Sequence, residues 1–250
     1  MIKAIMHGCN GAMGQVISSL AETDGEMEIV AGVDLNTERK NGYPVYASLE
    51  ECPRADVIID FASAKAVDHL LDYCAATGTP VVLCTTGLSE EQIRRVEETA
   101  EKAAVLRSAN MSLGINLLLK LVKEAARVLA AADFDIEILE KHHNRKLDAP
   151  SGTALALADS INEAMESQYH YVYDRSSRRQ KRDPREIGIQ SVRGGSIVGE
   201  HDVIFAGQDE VITISHTAYS RAIFARGAVA AAKFLAGKTS GLYDMADVIG

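Results

Sequence analysis

The chain has 250 residues, 47% of them apolar, which is enough for two domains with modest hydrophobic cores. No apolar run reaches the roughly 18 residues that span a bilayer, and the first residues lack the pattern of a secretory signal, so we expect a cytoplasmic protein without a membrane partner. The net charge of −9, from 35 acidic and 26 basic residues, argues against nucleic acid as a partner.

The cysteines of the chain are scattered and include no CxxC pair: Cys9, Cys52, Cys74 and Cys84. This spacing argues against a disulfide framework and against a structural zinc site. We therefore expect reduced thiols and no bound metal.

The first half of the chain alternates short apolar runs with longer amphipathic segments. Strands are predicted at 2–6, 28–34, 56–62, 80–86 and 104–109. A helix is predicted from Ser89, because Ser89 and Gln92 have the spacing of a capping box ahead of a long helical pattern. Such alternation is typical of βαβ units that build a parallel sheet.

The second half of the chain has a different pattern. A helix near 114–131 is followed by a half-exposed strand at 133–143, a helix from Ser151, and strands at 187–194, 196–207 and 209–218. Closely spaced strands favour an antiparallel or mixed sheet. The alanine-rich helix at 220–238 is expected to pack on the first domain. We predict an α/β protein with one domain at 1–109 and 221–250 and a smaller α+β domain at 110–220.

A glycine-rich turn, GCNGAMG, lies between the first predicted strand and a helix. Its glycines, Gly8, Gly11 and Gly14, would let backbone N–H groups and the positive end of a helix dipole approach a pyrophosphate. Asp34 ends the second strand, where a carboxylate can accept hydrogen bonds from ribose hydroxyls. The spacing differs from the commoner G-x-G-x-x-G, so a plain tight turn is the alternative. We predict a dinucleotide site that also includes the intervening Cys9, Asn10, Ala12 and Met13.

Loops after three later strands are expected to meet the same site, because ligands of open α/β sheets bind beyond the carboxyl ends of the strands. Their small, hydroxyl and amide groups suit a nicotinamide and its ribose. The residues concerned are Phe61, Ala62, Ser63, Cys84, Thr85, Thr86, Gly87, Ser108, Ala109, Asn110 and Met111. A turn with an ordinary helix cap explains Ser63 equally well.

Residues 140–153, EKHHNRKLDAPSGT, contain the second candidate site. Adjacent strand residues point to opposite faces, so His142 and His143 can share a pocket only if the strand ends there, as the following DAPSG suggests. Lys146 lies in the loop, and Gly152 and Thr153 lie where a helix begins, whose N–H groups favour a carboxylate. An imidazole, an ammonium and a helix N-terminus in one segment suit a small dicarboxylate that is protonated as it is reduced.

Three other interpretations of this stretch compete. The histidine pair could bind a metal together with His201 and His216, although no carboxylate or cysteine completes a known spacing. The segment could be a surface loop with an ordinary N-cap at Ser151. A catalytic cysteine is a weaker alternative, because no cysteine has a histidine at a recognisable spacing.

A basic segment at 175–185, RSSRRQKRDPR, contrasts with the acidic character of the chain. Charge runs of this kind are usually solvated loops. The alternative is a loop that draws an anionic ligand towards a cleft.

The histidine stretch also resembles one family in particular. EKHHNRKLDAPSGTA is similar to the signature of the 4-hydroxy-tetrahydrodipicolinate reductases, enzymes of the diaminopimelate route to lysine. The resemblance also includes GCNGAMG, CTTG, SANMSLGIN, VRGGSIVGEH and SRAIFARGA, so it extends over essentially the whole chain.

The resemblance implies a Rossmann domain that binds NADH or NADPH and a middle domain, with a mixed sheet, that binds substrate and forms a homotetramer. It implies that His142 donates or accepts a proton and that Lys146 donates one. His143, Gly152 and Thr153 would hold the substrate. Hydride would pass from the nicotinamide to an unsaturated dicarboxylate heterocycle and, after loss of water, give tetrahydrodipicolinate.

Two positions depart from the usual pattern of that family. Many members have an arginine at the position of Ala12 and a basic residue at the position of Leu35, and these cations contact the 2′-phosphate of NADPH. The carboxylate of Asp34 would also repel that phosphate. We therefore expect NADH to be used at least as well as NADPH, although Arg39 and Lys40 lie close enough in sequence to substitute.

Two competing functions follow from the same residues. A reductase with the same Rossmann domain could act on an amino-acid semialdehyde or a homoserine-type metabolite, which the HHxxxK pattern disfavours. A catalytically silent NAD(H)-sensing protein would need only the first domain. The presence of the complete set in the second domain disfavours that reading: His142, His143, Lys146, Gly152 and Thr153.

Overall fold

The computed structural model describes residues 1–108 and 110–250, so the predicted cofactor residue Ala109 lies outside the described residues. The chain divides into two compact units, one with Met1–Leu113 and Ala222–Gly250 and the other with Gly114–Arg221. The last helices of the chain thus belong to the same unit as the first strands. In the part of the chain that the structure describes, no helix is both long and apolar enough to cross a membrane.

The sheet of the first unit is parallel at every strand pairing. Numbered in chain order, its strands within residues 1–108 and 110–250 are β1 (Ile2–His7), β2 (Met27–Val33), β3 (Val45–Tyr46), β4 (Val57–Asp60), β5 (Val81–Leu83), β6 (Ala104–Arg107) and β12 (Gly241–Tyr243). Their order across the sheet is β12-β6-β5-β4-β1-β2-β3. Each predicted apolar run overlaps one of these strands to within one or a few residues at its ends, whereas β3 and β12 are too short to form such a run.

Helices cover both faces of this sheet: α1 (Ala12–Glu22), α2 (Ala64–Thr77), α3 (Glu90–Ala100), α6 (Ala222–Leu235) and α7 (Met245–Ile249). Met6 of β1 is buried on the face covered by α1 and α6, and its neighbour Ile5 is buried on the face covered by α2 and α3. Burial on both faces explains why these strands are continuous apolar runs in the sequence. The predicted capping box is confirmed, since Ser89 Oγ accepts from Gln92 N at 3.1 Å and Gln92 Oε1 accepts from Ser89 N at 3.1 Å.

The second unit contains a mixed sheet. Its strands among the described residues are β7 (Asp135–His142), β8 (His170–Val172), β9 (Glu186–Arg193), β10 (Gly199–Ala206) and β11 (Val211–Ala218). The order is β11-β10-β7-β9-β8, antiparallel as far as β7 and parallel beyond it. The helices α4 (Leu113–Leu129) and α5 (Gly152–Ala164) share a core with the fully buried Ile136, Ile138 and Val203. The predicted α/β fold with a second, mixed sheet is confirmed.

The register of the second sheet brings polar residues from three strands together. His142 of β7 lies opposite Arg193 of β9, and Glu140 lies between Ser191 of β9 and His201 of β10. Because β7 ends at His142, the chain leaves the sheet at the point that the sequence predicted.

The basic segment at 175–185 is not a freely solvated loop. Arg175 donates to Glu137 Oε1 at 2.6 Å from Nη2 and to the buried Glu186 at 2.9 Å from Nε. Arg182 donates to Asp135 Oδ1 at 2.7 Å. The solvated-loop prediction is therefore wrong for Arg175 and Arg182, because each neutralises carboxylates at the start of β7 or β9.

Candidate active site

The glycine-rich turn joins β1 to α1 through a closely packed backbone. Gly8 has a φ of +80°, in the left-handed region, and its N–H donates to Val33 O at 2.8 Å. A Cβ at Gly8 would lie 2.8 Å from Phe61 O, and one at Gly14 would lie 2.3 Å from Gly8 O. Only glycine fits at these two positions. The turn leads into α1, whose N-cap Gly11 has no side chain to cap the helix, so an anion can use the first N–H groups.

Asp34 lies beside this turn at the end of β2. Its Oδ2 accepts from Asn10 N at 2.9 Å, and its Oδ1 accepts from Asn36 N at 3.2 Å. Gly8, Gly11, Asn10 and Asp34 all line one cavity of about 680 Å³. Asn10 Oδ1 is buried and has no hydrogen-bond partner among the described residues. The glycine turn, the start of α1 and the acidic strand end therefore fit a dinucleotide.

The other predicted residues of the turn, Cys9, Ala12 and Met13, do not line this cavity. Cys9 is buried: its Sγ packs against Gly32, and its N–H donates to Val33 O at 3.4 Å. Burial, together with the nearby carboxylate of Asp34, raises the pKa of the Cys9 thiol to about 11. Ala12 is exposed at the start of α1, and Met13 packs partly against the core. Cys9 thus packs the turn against β2 and is buried away from solvent.

A buried network at the same sheet edge was not predicted from the sequence. Asp60 ends β4 and is fully buried, with Oδ1 at 2.7 Å from His7 Nδ1 and Oδ2 accepting from Thr85 Oγ1 at 2.6 Å. The network holds the ends of β1 and β4 and the loop after β5 together, and it fixes Thr85 beside the exposed Thr86. Cys84 is half-buried, and burial raises the pKa of its thiol. No motif signals this network, because its members are far apart in sequence.

The loop after β6 brings further predicted residues to this edge. Ser108 Oγ donates to Asn110 O at 3.2 Å. Met111 is buried in the core of the first unit, and its carbonyl oxygen lies 1.6 Å from where a Cβ at Gly227 of α6 would be. Met111 therefore anchors the loop, and Ser108 and Asn110 remain the polar candidates for the cofactor.

The second candidate site is built around the imidazole of His142. Its Nδ1 lies 2.6 Å from Oε2 of Glu140, a fully buried carboxylate. Because an ionised carboxylate can only accept hydrogen bonds, Nδ1 carries a proton and Nε2 is the nitrogen left for proton exchange. The ring packs edge-on against His201, with the two ring centroids 5.2 Å apart.

Glu140 joins His142 to two other parts of the site. Arg193 donates to its two oxygens at 2.7 and 2.8 Å, and Ser151 N donates at 3.1 Å. Burial alone would raise the pKa of Glu140, but hydrogen bonds from Arg193, Ser191 and His142 lower it to about 2. Glu140 was not among the residues predicted for the site, although its place two residues before His142 on a strand puts both side chains on one face.

Lys146 and His143 lie in the turn that follows β7. The N–H of Lys146 donates to His143 O at 3.1 Å, and its ammonium pairs with Asp148 at 2.9 Å, which lowers the pKa of Asp148. His143 Nδ1 is buried without a hydrogen-bond partner in the described structure. Burial and the neighbouring positive charges, led by Arg145, lower the pKa of His143. The turn therefore offers an ammonium and a neutral imidazole to an anionic ligand.

The helix α5 begins next to Glu140. Ser151 is its N-cap, and Ser151 Oγ accepts from Ala154 N at 3.2 Å. Gly152 is exposed, with nothing within 4 Å of where its Cβ would be, and Thr153 is half-buried. The helix start thus has room for a carboxylate, which its N–H groups and dipole would stabilise.

His201 and His216, which the sequence offered as possible metal ligands, are not grouped with further ligands among the described residues. His201 is buried with Nε2 at 3.2 Å from Ser151 Oγ, and burial lowers its pKa to about 4. His216 lies opposite His201 in the pairing of β10 with β11. Across residues 1–108 and 110–250, no three or more His, Cys, Asp or Glu side chains are grouped as metal ligands would be.

The fold and the two sites define a class of protein. A parallel sheet with a glycine turn and an acidic strand end is the arrangement that binds dinucleotides. The second unit places an imidazole and an ammonium beside a helix N-terminus, which suits proton transfer to a bound anion. The chain is an oxidoreductase that uses a nucleotide cofactor.

The family follows from comparison with known proteins. The models described as the N-terminus and the C-terminus of dihydrodipicolinate reductase match residues 2–111 and 114–249. The chain belongs to the dihydrodipicolinate reductase family, and the resemblance seen in the sequence is confirmed.

Relatives and a solved structure agree with this family. The 4-hydroxy-tetrahydrodipicolinate reductase of Caldanaerobacter subterraneus subsp. tengcongensis is 56% identical over 100% of this chain and 98% of its own length. That of Clostridium tetani is 46% identical over 98% of this chain and 96% of its own length. The structure of dipicolinate-bound dihydrodipicolinate reductase from Paenisporosarcina sp. TG-14 is 26% identical, with a TM-score of 0.81 over 100% of both chains.

Proposed function

We propose that this chain reduces 4-hydroxy-tetrahydrodipicolinate to tetrahydrodipicolinate with NADH or NADPH, a step of lysine biosynthesis through diaminopimelate. The observation that carries the proposal is the junction at Glu140, which links His142 to the start of α5 within hydrogen-bond distance. The relative in Caldanaerobacter, 56% identical, carries the name of this activity. The similar solved structure holds dipicolinate, a planar dicarboxylate that resembles the substrate.

The residues of the second unit have distinct proposed roles. When bound, the nicotinamide supplies the hydride. The substrate loses its 4-hydroxyl group as water, which leaves a conjugated ring. Hydride addition to that ring leaves negative charge, which a nearby acid neutralises. We assign this proton transfer to Lys146 and His142. We assign contacts with the substrate carboxylates to His143, Gly152 and Thr153, and Lys146 would exchange its partner Asp148 for the substrate.

NADH is proposed to serve at least as well as NADPH. Leu35 and Lys40 line the cavity beside Asp34, and Arg39 donates to Asn41 O at 3.2 Å and to Gly42 O. Lys40 is therefore the one nearby cation of this segment that lines the cavity within the described residues. Lys65 and His69 line the cavity as well, but they come from α2 rather than from the segment that follows Asp34. A 2′-phosphate placed next to Asp34 would be repelled by that carboxylate. Comparing kcat/KM for the two cofactors tests this, and an advantage of about tenfold or more for NADPH contradicts it.

We propose that the active form is a cytoplasmic homotetramer. Leu117, Leu121 and Val128 form an exposed apolar stripe on α4, and β11 exposes Val211 and Ile212 at the edge of the sheet. Apolar surface of this kind supports association with further copies. Light scattering coupled to size exclusion measures the mass directly. A monomer at assay concentrations contradicts the tetramer.

The activity is tested by following NADH absorbance with freshly made 4-hydroxy-tetrahydrodipicolinate. We expect turnover by the wild type and a kcat about 10²- to 10⁴-fold lower after His142→Ala or Lys146→Ala. The exposed His170→Ala, in the same unit, is the control and should keep the wild-type rate. No turnover by the wild type rejects the substrate, and undiminished turnover by both variants rejects the roles.

A further inference from the structure

Each end of β9 contributes one residue to an ion pair between an arginine and a buried glutamate. Glu186 at the start of the strand is 2% exposed and pairs with Arg175. Arg193 at the end of the strand pairs with Glu140, which is 0% exposed. Among residues 1–108 and 110–250, only the second pair contacts a group with a proposed role in proton transfer, namely His142. Both pairs join a carboxylate to a guanidinium. The pair away from His142 can therefore serve as a control for the pair that contacts it.

One oxygen of Glu140 is shared by two positive or potentially positive groups. Oε2 lies 2.6 Å from His142 Nδ1 and 2.8 Å from Arg193 Nη1. The guanidinium is therefore within two hydrogen-bond lengths of the imidazole. At this range, opposite and like charges both have large effects on whether a group is charged.

The two charges act on His142 in opposite directions. A buried carboxylate beside an imidazole favours the imidazolium form, and a guanidinium at the same place disfavours it. Glu140 also requires a proton on Nδ1, which fixes the tautomer. Arg193 cannot lose its charge in the pH range of enzymes, so its contribution is constant.

We propose that Glu140 and Arg193 are positioning residues that act through His142. Glu140 holds the ring with its proton on Nδ1, and Arg193 offsets the charge of Glu140 so that Nε2 can both give and take a proton. This inference rests on the proposed function, in which His142 transfers a proton to or from the substrate.

The other charged or titratable groups near His142 come from three elements. His201 of β10 packs against the ring, and His216 of β11 lies opposite His201. His143 and Lys146 lie in the turn after β7, and the charge of Lys146 is balanced by Asp148. Glu140 is the anion in direct contact with the ring, so its removal should dominate any change in protonation.

The same carboxylate links His142 to the start of α5, where the substrate is proposed to bind. Glu140 Oε1 accepts from the N–H of Ser151, and the following residue Gly152 begins α5. A change at Glu140 therefore moves both His142 and the helix start. A change at Arg193 leaves the Ser151 contact in place but can also remove the hydrogen bond from Arg193 Nη2 to Asp148 O at 2.6 Å. Arg193→Lys, which keeps the positive charge, therefore serves to separate the effect of charge from that of the lost contact.

The test measures His142 directly by NMR, independently of turnover. The resonance of the His142 ring is assigned by its loss in His142→Asn, and its pH midpoint is compared among variants. Glu140→Gln leaves the guanidinium uncompensated, so the midpoint should fall by roughly one pH unit. Arg193→Gln leaves the carboxylate uncompensated, so the midpoint should rise by roughly one unit. Arg193→Lys keeps the charge and should stay near the wild type.

Two controls separate this role from a structural one. Glu186→Gln removes a carboxylate from the matching pair at the other end of β9 and should leave the His142 midpoint unchanged. The nitrogen shifts of the neutral wild-type ring should show the proton on Nδ1, a measurement that needs no variant and stands even if Glu140→Gln does not fold. A proton on Nε2, shifts in the same direction for Glu140→Gln and Arg193→Gln, or an equal shift in Glu186→Gln overturns the proposal.

Turnover distinguishes this inference from the function on which it rests. The pH profile of kcat/KM should move in the same directions as the NMR midpoints, and the Kd for NADH should stay unchanged in every variant. If the wild type does not reduce the substrate, the proposed function fails whatever the NMR shows. If the wild type turns over and the midpoints do not move, the positioning role fails and the function stands.

Discussion

Ser151 Oγ lies 3.2 Å from His201 Nε2, and the same hydroxyl oxygen accepts the N–H of Ala154 at the start of α5. The N-cap of α5 is therefore in contact with a buried histidine that also packs against His142. His201 Nδ1 has no hydrogen-bond partner among the described residues. The site is thus supported by an imidazole that burial keeps neutral.

The first prediction concerns the pH dependence of stability. Burial lowers the pKa of His201 from 6.5 to about 4, so the unfolded chain binds a proton there at a higher pH than the folded chain does. The neutral histidine therefore contributes stability above pH 6.5, and this is lost as the pH falls towards 4. The loss is at most about 3 kcal/mol.

Urea unfolding between pH 7.5 and about 4 checks this prediction. The free energy of unfolding should fall less steeply with decreasing pH in His201→Gln than in the wild type. The exposed His170→Gln is the control for loss of an imidazole. Parallel curves for the wild type and His201→Gln contradict the account of a neutral buried ring.

The second prediction concerns the glycine turn. A Cβ at Gly14 would lie 2.3 Å from Gly8 O and 2.7 Å from Cys9 O, and both are backbone atoms of the turn. Gly14→Ala should therefore lower the free energy of unfolding by about 1–3 kcal/mol and weaken NADH binding at least about tenfold. Gly25→Ala is the matched control, because nothing lies within 4 Å of that Cβ. Unchanged NADH affinity in Gly14→Ala contradicts the location of the cofactor.

The third prediction concerns cofactor choice. Leu35 follows Asp34, lines the cavity and is fully exposed. Leu35→Arg adds a cation where a 2′-phosphate would lie, so the ratio of kcat/KM for NADPH over NADH should rise about tenfold. Leu242→Arg adds the same charge at β12, at the far edge of the sheet, and should leave the ratio unchanged. Equal ratios in both variants would place the ribose elsewhere.

Much of the fold can be read from the sequence because its signals are local. The strands β1, β2, β4, β5 and β6 contribute buried residues to the cores on both faces of the sheet, and their sequences are therefore mainly apolar. The capping box joins Ser89 to Gln92, three residues later, so both of its residues lie in one short stretch of the sequence. The strand β3 forms by pairing with β2, and β12 forms by pairing with β6. Each has only two or three residues, which is too few to show a strand pattern in the sequence.

The candidate site is only partly visible in the sequence. His142 and Lys146 belong to one short motif, whereas Arg193 and His201 reach Glu140 through the register of β9 and β10 with β7. That register is set by packing across the whole sheet, so residues about fifty positions apart meet without a local signal. The prediction for the basic segment was wrong for a similar reason. Glu137, one partner of Arg175, lies 38 residues away on β7, and the other partner, Glu186, is buried only because β9 pairs with β7.

The most direct test of the central claim is transfer of a label from the cofactor to the product. The wild-type enzyme is given 4-hydroxy-tetrahydrodipicolinate and NADH deuterated at both C4 positions, and the product is analysed by mass spectrometry. We predict tetrahydrodipicolinate with one deuterium for each NADH consumed, because the hydride moves directly from nicotinamide to substrate. Oxidation of NADH with an unlabelled product, or no product at all, would contradict the account.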